Sequence, residues 1–219
     1  MSKKIYISPS NQTANVYATG NTNEKEQCHK IAKHCKSYLE KAGFDVMCTY
    51  NLDMYERVRE SNSFNADMHV AIHTNATANH NVTGGTQILL YRLDGERMKA
   101  GECVLKHLAP LTIGDRAEKL IAKPSFYEIR KTEGLSVYVE AEFHDTKTGS
   151  DFIIKNTKQI GEAIGKGICD YYGVKYPKKE TEAPKKLYKI QVGAFKNKAN
   201  AEAYIQKLKN LGINGYIVE

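Results

Sequence analysis

Short apolar segments alternate with amphipathic helical segments through most of this chain, and that alternation constrains the fold more than any other feature. The segments that predict strands are Lys4–Ser8, Phe44–Tyr50, Met68–His73, Thr86–Tyr91, Tyr127–Arg130 and Ser136–Phe143. The segments with apolar residues at helical spacing are Glu24–Ala42, Met54–Ser61, Gly101–Ala109 and Asp151–Tyr172. Strands that alternate with helices are typical of parallel strands joined by crossover helices. We therefore predict an α/β fold: a mostly parallel, twisted sheet with helices on both faces.

A charged stretch with two prolines, 175–186, separates a long first segment from a short second one. The sequence thus predicts a domain over 1–174, a linker over 175–186 and a small module over 187–219. Residues 1–174 contain 22 Lys and Arg against 21 Asp and Glu, whereas 175–219 contain 10 Lys against 4 Glu. The predicted domain therefore has almost no net charge, and we expect no nucleic-acid partner.

Several other classes of protein are also excluded by composition. No run of 18 apolar residues is present, so we expect no insertion into a membrane. The apolar run near the start, Ile5–Ile7, is too short for a signal peptide, which predicts synthesis in the cytoplasm without one. The five cysteines form an odd set without C-x-x-C spacing, and we interpret them as buried free thiols.

Three side chains capable of metal binding or proton transfer stand at the ends of predicted elements. Glu24 opens the first long helix, His73 follows an apolar strand, and Glu140 lies within the strand Ser136–Phe143. The carboxyl ends of parallel strands are where α/β proteins gather their sites. Spacing alone leaves another interpretation open, since Glu is common at helix N-termini and a His can be a satisfied core residue.

The order of several motifs resembles the zinc-dependent N-acetylmuramoyl-L-alanine amidases of the amidase-3 family. Ala66–Ala76 is similar to that family's "AD-x-x-V-S-I-H-x-N-A", and Gly20–Glu26 to its "G-x-x-E-K-D". Leu135–Asp145 resembles "P-A-V-L-V-E-x-G-F-x-S-N", while Arg57 and Asn62 match "R-x-x-x-A-N". The motifs occur in the same order as in the family over about residues 1–172, and the resemblance rests on the whole set of motifs rather than on a single one.

The resemblance implies an enzyme that hydrolyses the amide between N-acetylmuramic acid and L-alanine in peptidoglycan, of phage endolysin or autolysin type. It further implies Zn²⁺ as the cofactor, with Glu24 and His73 among the ligands and Glu140 as the general base. Such an enzyme acts on the bacterial cell wall after release. Two alternatives stay open: a catalytically inactive peptidoglycan-binding protein, and a zinc peptidase that cuts within the stem peptide.

One zinc ligand of the family pattern has no counterpart here. The family's first strand ends in "D-P-G-H-G-G", whereas this chain reads Ser8-Pro9-Ser10-Asn11-Gln12 and lacks the histidine. Asn11 aligns by count, but Gln12 has the longer reach, and we predict Gln12 as the third ligand. Cys28 or His29, one turn beyond Glu24, could substitute instead.

Three further residues are predicted to contact substrate. Asn75 lies in the motif that follows His73, and Arg116 and Arg130 occupy segments where the family places substrate-contacting loops. Either arginine could pair with a carboxylate of the stem peptide, although a surface salt bridge is an equally good interpretation.

The C-terminal segment predicts a small βαβ unit. A strand over Lys186–Phe195, a helix over Lys198–Leu211 and a strand at Tyr216–Val218 resemble the first half of the sporulation-related repeat (SPOR) domain, a peptidoglycan binder. That domain uses two such halves, and about 33 residues rarely hold a core alone. Either this sequence is part of a longer chain, or two chains pair their halves into one sheet as a homodimer; an appendage without a fixed fold is a third interpretation.

Overall fold

The chain divides into two compact units, Met1–Lys178 and Lys179–Glu219. The computed structural model describes residues 2–77, 84–112, 119–177 and 191–218. Among these residues, no helix combines the length and the apolar character needed to cross a membrane. All five cysteines are free thiols, as the sequence predicts; Cys28, Cys35 and Cys169 are buried, whereas Cys48 and Cys103 are only partly buried.

Strands and helices alternate through the first unit. The strands are β1 (Lys4–Pro9), β2 (Asp45–Cys48), β3 (Met68–Asn75), β4 (Gln87–Leu90), β5 (Lys119–Ala122) and β6 (Leu135–Phe143). The helices are α1 (Glu24–Lys41), α2 (Met54–Ser63), α3 (Gly95–Leu108), α4 (Tyr127–Lys131) and α5 (Lys147–Tyr172). The second unit contributes α6 (Lys198–Asn210).

The six strands form one sheet in the order β2-β1-β3-β6-β4-β5. Every neighbouring pair is parallel except β4 and β6, which are antiparallel. The predicted mostly parallel sheet is thus confirmed. The central strands β1, β3 and β6 run in one direction, so their carboxyl ends meet at one edge.

Helix α1 shows how the sequence produces these elements. The side chain of Asn23 caps its first turn by accepting a hydrogen bond from the backbone N–H of Glu26 at 3.0 Å. Its apolar stripe, which includes Ile31 and Leu39, is fully buried, and each such side chain contributes about 1.5–3 kcal/mol. The chain leaves the helix through Gly43, whose φ of 94° favours glycine.

Helices cover both faces of the sheet, as predicted. Helices α1, α3 and α5 pack on one face, over a core that includes Ile7, Ile72 and Val139. Helix α4 packs on the other face against Tyr138 and Leu89. On that face Tyr6 also donates a hydrogen bond to Glu60 of α2 at 2.6 Å.

Three predicted strands differ from the structure. Tyr127–Arg130, predicted as a strand, is the short helix α4, which places the adjacent residues Glu128 and Ile129 both in buried positions. In residues 191–218 the structure contains helix α6 without the predicted flanking strands, since no neighbouring strand is present there to pair with them. Residues 186–190, the start of the first of these strands, lie outside the described residues.

Candidate active site

The predicted catalytic and metal-binding side chains converge at the carboxyl edge of the sheet. His73 near the end of β3 pairs in parallel register with Glu140 of β6. The neighbouring strand β1 ends at Pro9, and α1 begins at Glu24 beside the same edge. The structure therefore brings together three residues that are far apart in the sequence.

A buried ion pair joins His73 and Glu24. Their Nδ1 and Oε1 atoms lie 2.8 Å apart, and the Thr74 backbone N–H donates to the same oxygen at 3.4 Å. Asn15 donates to the other oxygen of Glu24 at 2.5 Å. Burial raises the pKa of Glu24, but the hydrogen bond and charge of His73 outweigh it and lower the pKa. Burial lowers the pKa of His73, yet Glu128 and Glu24 raise it to about 9.

Glu140 has the character of a proton acceptor. Its Oε2 atom is buried and has no hydrogen-bond partner among the described residues. Burial raises the pKa of Glu140; the charge of His73 opposes this and that of Glu24 adds to it, with a resulting pKa of about 7. A carboxyl group that titrates near neutral pH can take up a proton and return it during a reaction.

Gln12, rather than Asn11, faces this cluster. Gln12 Nε2 lies 3.5 Å from His73 Nδ1, and Gln12 Oε1 accepts a hydrogen bond from Asn15 at 2.9 Å. Asn11 instead lies with its Oδ1 3.0 Å from His29 Nε2. His29 is thus engaged by Asn11, away from the His73 ring.

The donor atoms at this edge form a mixed set. Across residues 2–77, 84–112, 119–177 and 191–218, no three His, Cys, Asp or Glu side chains are arranged to hold a metal ion. The set consists of an imidazole from His73, a carboxylate from Glu24 and an amide from Gln12. Imidazole and carboxylate are ordinary zinc ligands, and an amide oxygen is a harder and weaker one. These residues can accommodate zinc with a weak third ligand.

Glu128 is a component of the site that none of the sequence motifs predicts. Its carboxylate is 2% exposed, and its Oε2 lies 3.7 Å from His73 Nε2. The other oxygen accepts a hydrogen bond from Ser8 and lies 3.3 Å from His69 Nε2 and 3.7 Å from Arg57 Nε. Burial raises the pKa of Glu128, but the two histidines outweigh it and hold the pKa well below its usual range.

A cleft of about 620 Å³ opens beside His73. Gln12 and Glu128 line it near the ligand cluster, while Phe126 and Tyr127 of the α4 region form an aromatic wall. The cleft is large enough for part of a sugar or peptide chain.

Of the residues predicted to contact substrate, neither Asn75 nor Arg130 lines this cleft. Asn75 donates a hydrogen bond to Gln87 at 3.1 Å. Arg130 lines a second depression, of about 340 Å³, which includes Leu135 at the opposite end of β6. Arg116 lies outside the described residues. Substrate contact by these three residues stays a prediction.

Comparisons with protein families and structures give two matches along the chain. Residues 5–170 match the model described as N-acetylmuramoyl-L-alanine amidase, and residues 184–219 match the SPOR domain.

Individual relatives agree with this assignment. The sporulation-specific N-acetylmuramoyl-L-alanine amidase of Bacillus subtilis (strain 168) is 25% identical over 224 residues, which cover 98% of this chain and 84% of that protein. The endolysin of Bacillus phage SPP1 is 27% identical over 213 residues, which cover 90% of this chain and 75% of the endolysin. The solved structure of the amidase AmiC2 of Nostoc punctiforme has the same fold, with a TM-score of 0.70 and 22% identity over 78% of this chain and 97% of that one. Because the first family model spans well over half of its length, the chain belongs to the N-acetylmuramoyl-L-alanine amidase family, which hydrolyses amide bonds in peptidoglycan.

Proposed function

We propose that this amidase is zinc-dependent, with Glu24, His73 and Gln12 as ligands and Glu140 as the general base. The bond cleaved is the amide between the lactyl group of N-acetylmuramic acid and L-alanine. The observation that carries the proposal is the His73–Glu24 contact of 2.8 Å, with Glu140 next to His73 in the sheet register.

The donor set supports zinc over the hard cations. One imidazole nitrogen and one carboxylate oxygen already face each other, and Gln12 lies on the same side of the His73 ring. A 180° rotation of the Gln12 amide would turn its oxygen toward that side, since the two ends of an amide are nearly equal in shape. Bound there, zinc would polarise the scissile carbonyl and lower the pKa of a water molecule to about 7.

The side chains of this chain supply the proton transfer and the positioning. Glu140 takes the proton from the attacking water and delivers it to the leaving amine of L-alanine, as its pKa of about 7 allows. Asn15 donates a hydrogen bond to Glu24 at 2.5 Å and so holds this ligand in place. The cleft beside His73 is where the glycan or stem peptide would lie.

Metal content and wall lysis, measured together, test this proposal. We expect wild type to bind one zinc ion and lyse purified walls, Glu24→Gln to lose both, and Glu133→Gln, an exposed control, to lose neither. Gln12→Ala should bind zinc more weakly. If Gln12→Ala binds zinc as tightly as wild type and keeps full activity, Gln12 is not a zinc ligand, but the rest of the proposal stands. If wild type neither binds zinc nor lyses walls, the result favours an inactive wall-binding protein.

The second unit is proposed to bind peptidoglycan, because residues 184–219 match the SPOR domain. Of the described residues of this unit, Leu208 alone among the large apolar side chains is buried. The exposed large apolar side chains there are Val192, Phe195, Leu211, Ile213, Tyr216, Ile217 and Val218. Pairing with the same unit of a second copy would cover them. Light scattering should therefore show a homodimer, and a monomer at high concentration would contradict this part of the proposal.

A further inference from the structure

We propose that Glu128 is a positioning residue that accepts a hydrogen bond from the Nε2–H of His73 and so orients this imidazole for zinc. The inference rests on the proposed function, since it concerns a ligand of the same site. Neither the predicted motifs nor the family match assigns a role to Glu128.

The two oxygens of Glu128 have different surroundings. Oε1 is held by the Ser8 hydroxyl, by His69 Nε2 at 3.3 Å and by the charge of Arg57 at 3.7 Å. Oε2 faces His73 Nε2 at 3.7 Å. The carboxylate is thus anchored through one oxygen, with the other directed at the candidate zinc ligand.

The two ring nitrogens of His73 also have different surroundings. Nδ1 faces Glu24 and Gln12, whereas Nε2 is buried and has no hydrogen-bond partner among the described residues. The ring is stacked on Tyr138, with centroids 4.4 Å apart and planes 18° apart, which limits its rotation. Since N–H···O bonds are about 2.7–3.2 Å long, a shift of roughly 0.5–1 Å brings Nε2 and Oε2 into bonding distance.

A carboxylate on the far nitrogen of a metal-binding histidine has a known physical effect. It fixes which nitrogen carries the proton, holds the ring plane and makes the other nitrogen a stronger donor. Here it would keep the proton on Nε2 and leave Nδ1 free for zinc. Such support is of particular value in a site whose third ligand, Gln12, is only an amide.

A purely structural role for Glu128 makes a different prediction. As the counter-charge of Arg57, Glu128 would need only the contacts of Oε1, and its loss would lower stability without altering zinc affinity. Zinc affinity of the folded protein therefore separates the two roles.

The experiment is a zinc titration of the full chain against a chromophoric chelator, together with thermal melting in excess chelator. We expect Glu128→Gln to weaken zinc binding about 10–100-fold, while the exposed control Glu133→Gln binds like wild type. Ser8→Ala, which frees Oε1 but keeps the carboxylate, should weaken binding less. If Glu128→Gln does not fold, zinc affinity is compared between Ser8→Ala and wild type instead.

The outcomes separate this inference from the proposed function. If folded Glu128→Gln, or Ser8→Ala in its place, binds zinc within about twofold of wild type, the positioning role is refuted and the ligand set stands. If His73→Ala binds zinc as tightly as wild type, the proposed ligand set itself fails, and the inference fails with it.

Discussion

The substitution Arg57→Met should destabilise the first unit more than most single changes could. Arg57 is 3% exposed, and its Nε donates to Ser8 Oγ at 2.7 Å while Nη1 donates to the Leu52 carbonyl at 3.0 Å. Its charge lies 3.7 Å from Glu128. Methionine keeps the apolar stem but removes the charge and both donors.

The structure sets the size of the effect. Breaking a buried ion pair by removing one partner costs about 3–5 kcal/mol, because the remaining charge loses its counter-charge inside the protein. For a domain of this size each kcal/mol lowers Tm by about 2–4 °C. The expected fall in Tm for Arg57→Met is therefore roughly 6–20 °C.

The assay is thermal unfolding in excess chelator, so that zinc makes no contribution. Arg59→Met, an exposed position on the same helix, serves as the control and should change Tm little. The double variant Arg57→Met with Glu128→Gln should be less destabilised than the sum of the two single variants, since both charges are then removed. A loss below about 1 kcal/mol for Arg57→Met, or strict additivity in the double variant, would show that Arg57 and Glu128 do not form a stabilising buried ion pair.

Three further predictions concern catalysis, pH and packing. Glu140→Gln should retain zinc and lower wall lysis about 10²–10⁴-fold; normal lysis would exclude Glu140 as the base. The pKa of His73, raised to about 9 from 6.5 in zinc-free protein, predicts stability that is fully present below pH 6.5 and lost as pH rises through 9. In urea unfolding, the free energy of unfolding of wild type should fall as pH rises through this range, and that of His73→Gln should not. Gly161→Ala would place a methyl group 2.5 Å from the Ile31 carbonyl oxygen and should cost about 1–3 kcal/mol by the same method; unchanged stability would contradict the tight packing of α1 on α5.

Much of the fold could be predicted because periodicity and capping are local properties. Helix α1 begins at Glu24, as predicted, because an asparagine cap precedes it and a continuous apolar stripe follows. Strand β3 is recognisable from its apolar run, which ends at His73. Such apolar runs show where strands end in the sequence. Because the sites of α/β proteins gather at the carboxyl ends of parallel strands, they also indicate where the site lies.

The missed features depend on contacts that no local pattern contains. The segment Tyr127–Arg130 is too short to separate a period of two from one of 3.6, so the sequence predicts a strand where the structure has helix α4. Because the segment is predicted as a strand, the sequence does not place Glu128 at the site. Its partners Ser8 and His69 are 120 and 59 residues away in the sequence. Arg57, the other charge next to Glu128, is buried and needs a counter-charge, but its burial is itself a property of the fold.

Mass spectrometry of digested peptidoglycan identifies the bond that this enzyme cleaves and shows whether cleavage needs zinc. An amidase of this kind should release stem peptides with a free L-alanine amine and leave glycan strands whose N-acetylmuramic acid carries a free lactyl carboxylate. We predict these products from wild type with zinc, and none from Glu140→Gln or from protein treated with chelator. Products cut inside the stem peptide would contradict cleavage of the lactyl–L-alanine amide, and the same products without zinc would contradict the dependence on zinc.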